Sequence, residues 1–159
     1  PDYQQLLERL NFFTPTTFEE QCLAVESVKK AVSEETGLIV VDTISMLYRL
    51  VLGLGDQIAD INSALGKQIA TLTEITRKKH IPVLLVSQVY ADFDNRDNIK
   101  MVGGDILKYG SKCLIELRKR DDGVREFILR KHRFLPEGIA VQFRIVQPGI
   151  ALATKESKF

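Results

Sequence analysis

Gly37 to Ser45 reads GLIVVDTIS, an unbroken apolar run that ends in an aspartate and a threonine. A run without polar alternation is apolar on both faces of the pleat, as in parallel strands covered by helices on both sides. A second run of the same kind, IPVLLVSQ, occupies Ile81 to Gln88. Between them Ile58, Ile61, Leu65, Ile69, Leu72 and Ile75 recur at helical spacing, and the segment closes on Arg77-Lys78-Lys79-His80, positive charge that suits a helix C-terminus. Strand, helix and strand with both strands buried predict a βαβ unit with a right-handed crossover. The chain is therefore read as α/β.

Upstream, LNFFTP at Leu10 to Pro15 predicts a short strand. Thr17 followed by Glu20 is a capping-box pattern, in which each side chain serves the other's exposed backbone N–H. Phe18, Cys22, Val25, Val28 and Val32 follow on one helical face that should pack on the sheet. Downstream of Gln88 the texture changes. VYADFDNRDNIKMVGGD is polar and ends in Gly103-Gly104, which predicts a mobile loop leading into a short helix. From Cys113 onward the chain alternates, and Asp122-Gly123 between two strand-like runs is a hairpin signal. The C-terminal third is read as an antiparallel meander.

With 159 residues and 45% hydrophobic content the chain suits a single globular domain, here 1–159. A formal net charge of +1 excludes bulk attraction to nucleic acid or lipid. The distribution is uneven: residues 1–36 carry seven acids against three bases, whereas 100–133 carry ten bases against five acids. That half either faces a polyanion or is a solvated hairpin. Cys22 and Cys113 have no metal or disulfide spacing and are read as small core residues. No apolar run is of membrane-spanning length and no signal peptide is visible, which predicts a cytoplasmic protein with no membrane partner. The chain opens on Pro1 in mid-pattern and reads as a piece of something longer.

In open α/β sheets ligands bind at the carboxyl ends of the strands. Asp42 and Gln88 both follow apolar strands there. An apolar run ending in Asp is the Walker B pattern, whose carboxylate holds magnesium beside nucleotide phosphates. The plain alternative is an aspartate that caps the next helix. A neutral amide beside a γ-phosphate can sense it and pull on the following loop, although Gln88 alone also fits an ordinary polar strand end.

LIVVDT with Ser45, Tyr48 and Arg49, then IPVLLVSQV, a glycine-ended loop and LPEGIAVQFRIVQPGI resemble the core of RecA-family recombinases of the archaeal and eukaryotic branch. RKHRFLPEG, the short SQVY join and NFFTPTTFEEQ look most like the archaeal paralogues of the RadA recombinase, the RadB group. The resemblance covers nearly the whole chain. It implies a RecA-like P-loop NTPase core fragment, with a largely parallel sheet flanked by helices and a C-terminal meander. In such proteins the P-loop lies upstream of this segment, and nothing here reads G-x-x-x-x-G-K-[ST]. The segment alone is expected to be inactive, and its intact parent a weak DNA-dependent ATPase using ATP and magnesium.

Carried over residue by residue, the resemblance makes Asp42 the indirect magnesium carboxylate, with Thr43 beside the nucleotide. It makes Gln88 the phosphate sensor coupled to a second DNA-binding loop at about 91–104. A first such loop would begin at Tyr48 and Arg49 and run through LVLGLGD. Arg49, Arg96, Lys100 and Lys108 are the candidate DNA contacts. Leu50 to Asp56 holds no basic residue, and Asp92, Asp94 and Asp97 dilute the second loop, so the binding of single-stranded DNA that the resemblance implies is expected to be weak. Phe93 or Tyr90 could stack on bases, with packing on the sheet edge the plainer use of Tyr90. Where filament-forming relatives have an aspartate that caps a neighbour's ATP, this chain has Lys131-His132-Arg133. Lys131 is read as a fixed ammonium against phosphate, or as an exposed basic strand end. The implied partners are DNA, a RadA-like recombinase and, through self-association, a second copy of the chain. The alternatives are a non-recombinase RecA-fold ATPase, or an interaction module whose groove uses Phe12, Phe13 and the Val25/Val28 face, residues that otherwise read as ordinary core.

Overall fold

The computed structural model describes residues 2–53, 57–91 and 99–153. They belong to two compact units, residues 1–110 and 111–159.

In the first unit α1 spans Tyr3–Leu7 and α2 spans Phe18–Ala31. The capping box forms as expected: the Glu20 N–H donates to Thr17 Oγ1 at 3.1 Å, and the Glu20 carboxylate accepts from the N–H of Thr17 at 3.4 Å and, more closely, from the N–H of Thr16 at 2.7 Å. That N–H and the Thr16 hydroxyl hold the Glu20 carboxyl below its ordinary value. Removing the cap with Thr17→Ala should cost about 1 kcal/mol in urea unfolding. An unchanged midpoint would mean that α2 is held by packing alone. The expected strand at LNFFTP does not form. Among the described residues its backbone joins no ladder, and Phe12 is 75% exposed. A strand needs a hydrogen-bonded neighbour, and local β propensity cannot supply one.

β1 (Ile39–Asp42) is followed by α3 (Met46–Leu52), α4 (Ile58–Lys79) and β2 (Val83–Val86), and β1 and β2 pair in parallel with Ile39 opposite Val83 and Asp42 opposite Val86. This is the predicted strand–helix–strand unit. Helix α4 ends at His80, which takes a left-handed conformation and donates its N–H to the Thr76 carbonyl. The alternating pleat puts Ile39, Val41, Val83 and Leu85 on one side, packed against Val25, Leu72, Ile75 and Ile81. Leu38, Val40, Leu84 and Val86 are 38–53% exposed. The two-sided burial expected from the apolar run is thus one-sided among the described residues.

Helices α2 and α4 are bridged at the surface by Glu74, which accepts from Lys29 at 2.7 Å and Lys78 at 2.6 Å. Those hydrogen bonds pull its carboxyl from 4.5 down to about 2. A depressed carboxyl stabilises the fold above its unfolded value, and that contribution is lost as pH falls from about 4.5 through about 2. Carbon-detected titration should find Glu74 with the lowered midpoint, and Lys29→Met should raise it. A midpoint near 4.5 in the unsubstituted chain would show that the bridge is not maintained in solution.

β3 (Val89–Ala91) and β4 (Ile99–Met101) form an antiparallel ribbon, and α5 (Gly104–Gly110) follows as predicted. The segment expected to be one mobile loop is therefore tied at both ends, and residues 92–98 lie outside the described residues. Gly103 carries φ +89, and an added Cβ would meet Leu107 at 3.1 Å, so the turn into α5 requires glycine on both counts.

The second unit is the predicted meander: β5 (Leu114–Lys119), β6 (Val124–Lys131), β7 (Ala140–Val146) and β8 (Gly149–Leu152), each antiparallel to the next. Asp122 and Gly123 both take positive φ in the β5–β6 turn, which is why that dipeptide was readable. Glu116 accepts from Arg118 and Arg130, and Glu126 from Arg120 and Gln142. Burial pushes the Glu116 carboxyl up, but the two guanidinium hydrogen bonds outweigh it and leave it below its ordinary value. Three of the ten basic residues of 100–133, Arg118, Arg120 and Arg130, are thus matched within the hairpin. Cys113 is exposed and is not a core residue, whereas Cys22 is partly buried.

Candidate nucleotide-responsive site at the strand ends

Asp42 ends β1 on the same side of the pleat as Val40, away from the α2–α4 core, and is exposed. Gln88 lies two residues beyond β2 with the same alternation and is also exposed. Pairing of Asp42 with Val86 brings these two strand ends side by side. The alternative role for Asp42 as a helix cap is taken by its neighbour: Thr43 Oγ1 accepts from the Met46 N–H at 3.1 Å, opening α3. Among the described residues no protein group is paired with the Asp42 carboxylate.

The turn from Thr43 to Ser45 is pinned to β2. The Ile44 N–H donates to the Val86 carbonyl at 3.0 Å, and the Gln88 N–H donates to Ser45 Oγ at 3.0 Å. Gln88 in turn accepts, at its carbonyl, the N–H of Val102 at 3.1 Å, and the Ser87 hydroxyl donates to the Val102 carbonyl at 3.2 Å. Gln88 is therefore bonded on one side to the turn after Asp42 and on the other to the end of the ribbon.

Beneath the ribbon a cavity of about 590 Å³ is lined by Tyr48, Arg49, Asn62, Tyr90, Met101 and Asp105 among others. The Tyr48 hydroxyl donates to Asn62 Oδ1 at 2.7 Å, and burial pushes its phenol up, with Tyr90 adding to the effect. The expected first loop does not begin at Tyr48 and Arg49. That stretch is the helix α3, because Leu47 and Tyr48 bury one face of it and Thr43 caps it. Arg49 is exposed on its last turn. Tyr90 is 49% exposed opposite Lys100 on the ribbon, so it is not packed away at a sheet edge. Lys108 is exposed on α5, and Arg96 and Phe93 lie outside the described residues.

Lys131, His132 and Arg133 belong to the second unit. The Lys131 ammonium donates to the Ser111 carbonyl at 2.8 Å, so it is anchored to the start of its own hairpin. His132 Nδ1 accepts from the backbone N–H groups of Phe134 and Leu135, both at 3.1 Å, a turn-stabilising role that occupies that nitrogen. No group of three metal-ligating side chains occurs among the described residues.

Sequence reading assigned no role to Gln21 and Gln68 and named Ser45 only within the motif, yet all three are at most 4% exposed. Gln21 Nε2 donates to the Ile44 carbonyl at 3.2 Å and to Gln68 Oε1 at 2.8 Å, and Gln68 Nε2 donates to Cys22 Sγ at 3.2 Å. A signal was present. Gln21 lies between Phe18 and Val25 on the apolar stripe of α2, and Gln68 between Leu65 and Leu72 on that of α4. An amide on a core stripe demands a partner.

The Rad51 family model matches residues 2–153. The DNA repair and recombination protein RadB of Methanococcus maripaludis is 39% identical over 155 residues, covering 96% of this chain and 68% of that protein. RadB of Thermococcus onnurineus is 39% identical over 151 residues, covering 94% and 65%. A crystal structure of the RadB recombinase is similar with a TM-score of 0.76 at 36% identity, covering 95% of this chain and 67% of that one. The chain thus spans about two thirds of the length of these relatives.

Proposed function

Because the chain belongs to the Rad51 family, and within it to the RadB DNA repair and recombination proteins, we propose that its strand ends are the nucleotide-responsive part of a weakly DNA-binding accessory to a RadA-like recombinase. One observation carries this reading. Asp42 ends β1 and Gln88 follows the end of its paired strand β2 on the same exposed side, and Gln88 is bonded to Val102 at the base of the ribbon. A change at the Gln88 side chain is therefore delivered to the segment that would contact DNA.

The residues fit a magnesium nucleotide. Asp42 is a hard oxygen donor at a rigid strand end without a protein partner among the described residues, and magnesium keeps most of its waters and uses few protein carboxylates. When bound, the ion would neutralise phosphate charge beside Asp42 and Thr43. Gln88 would orient toward the phosphates by its carboxamide. Lys131 and Arg133 are the candidates for contact with the phosphates of a nucleotide held by a second copy of the chain, with His132 committed to its turn. In this reading both units belong to a single RecA-like core, and the protein works where DNA is. No helix among the described residues is long and apolar enough to cross a membrane.

For DNA, Tyr90 and Lys100 share one face of the ribbon, and Arg49 and Lys108 lie on α3 and α5. With Arg96 these make at most four basic contacts, so the logarithm of affinity for single strands should fall against the logarithm of salt with a slope no steeper than about −3. The test is binding of single-stranded DNA by the full-length protein across a salt series, with and without ATP and magnesium. Weak, salt-sensitive binding strengthened by ATP is expected. No binding at the lowest salt would sink the DNA reading. It would favour the interaction module, for which Phe12 and Phe13, 75% and 43% exposed, are available, whereas Val25 is buried in the core with Val28 packed against that cluster and does not line a groove.

A further inference from the structure

Gln21, Gln68 and Ser45 sit in the first unit where the core should be driest. Their neighbours are Phe18, Ile44, Leu47, Leu65 and Ile69, all buried. Leucine at positions 21 and 68 would continue both helical stripes without desolvating an amide. What leucine would not do is hold the turn after β1 in one place. Gln21 grips the carbonyl of Ile44, whose own N–H is bonded to Val86, and the next residue, Ser45, accepts the Gln88 N–H. Every link is a directed bond between elements distant in sequence: α2 to the turn, α2 to α4, and the turn to Gln88. No buried side-chain polar atom among the described residues is left without a partner, so the network is satisfied throughout.

We infer that Gln21 and Gln68, acting through Ile44 and Ser45, are positioning residues that fix where the Gln88 end of β2 stands relative to Asp42. The relay therefore sets how strongly the nucleotide state is passed to the ribbon. This rests on the nucleotide-responsive reading of the strand ends, but its mechanical part stands apart from it. An amide network has one low-energy arrangement where an apolar contact tolerates sliding. The Gln88–Val102 bond transmits a displacement only if the other side of Gln88 is held, and Ser45 is that hold.

The experiment uses the full-length protein in two arms. The first follows amide hydrogen exchange at Gln88 without nucleotide in Ser45→Ala, Ser45→Thr, Gln21→Leu and the double variant Gln21→Leu/Gln68→Leu. Ser45→Ala removes the acceptor, and exchange at Gln88 should quicken about fivefold, as befits one lost hydrogen bond. Ser45→Thr should restore protection. Gln21→Leu, which does not touch Gln88, should also quicken it severalfold. The double variant leaves no orphan amide at position 68, so it should recover thermal stability without recovering protection. The second arm compares single-stranded DNA affinity with and without ATP and magnesium, and the ratio should shrink about fivefold in the double variant while ATP affinity is unchanged.

Unaltered Gln88 protection in Gln21→Leu and in the double variant would overturn the relay and leave a merely structural pair. Altered protection with an intact ATP-dependent ratio would overturn its use in coupling. A wild-type protein whose DNA affinity ignores ATP would instead overturn the functional reading, with the first arm still deciding the relay.

Discussion

Replacing Asp42 by asparagine in the full-length protein is expected to reduce the ATP-dependent gain in DNA affinity about 10- to 100-fold, the range typical of outer groups that orient a bound metal. Asparagine keeps the size of the side chain and removes its charge. Because Asp42 is exposed and takes no part in capping α3, the thermal midpoint should not move. DNA affinity without nucleotide should also hold, since Asp42 lies at the strand end and not on the ribbon. Fluorescent ATP-analogue binding beside DNA titrations separates the two effects. If the nucleotide response survives in Asp42→Asn, the strand-end carboxylate is not the magnesium group, and the Walker B reading of GLIVVDTIS fails. If both affinities fall with the thermal midpoint, the residue serves the fold.

The parts of this molecule that were legible in the sequence are those whose physics is local. Thr17 and Glu20 cap α2 through contacts three residues apart, Asp122-Gly123 turns the chain through its own positive φ, and the apolar stripe of α4 repeats within one helix. What could not be read depends on partners far along the chain. LNFFTP has the composition of a strand but no ladder among the described residues, and Tyr48-Arg49 was taken for a loop although burial of Leu47 and Tyr48 makes it helical. The site divides the same way. Asp42 and Gln88 were found because each ends an apolar run. The bonds that tie Gln88 to the turn after Asp42 and to the ribbon pass through Ser45 and Val102, and a hydroxyl or a backbone amide leaves no pattern in sequence. The polar face of the hairpin was ambiguous for a related reason, since Glu116 and Glu126 meet their arginines across strands.

Leu65→Ala is expected to cost about 3 kcal/mol, within the roughly 2–5 kcal/mol of buried leucine truncations. Leu65 is fully buried at the centre of a cluster that joins Phe18 of α2, Ile44, Leu47 and Tyr48 around α3, and Val102 and Leu107 at the ribbon and α5. That cluster draws on most of the elements that place the site. A Cβ added at Gly103 would lie 3.3 Å from Leu65 Cδ2, so the leucine packs directly beneath the turn that ends the ribbon. The cavity left by alanine would open there. If the surroundings stay rigid, the full cost appears in urea unfolding and the Val102 amide keeps its protection. If α5 settles into the void, the cost falls and Val102 is pulled away from the Gln88 carbonyl, quickening its exchange. The glycine turn and the short α5 make the second course the softer one, so a cost at the low end of the range should accompany faster exchange at Val102. A loss below about 1 kcal/mol with Val102 unchanged would show that the packing around α4 does not support the strand-end site at all.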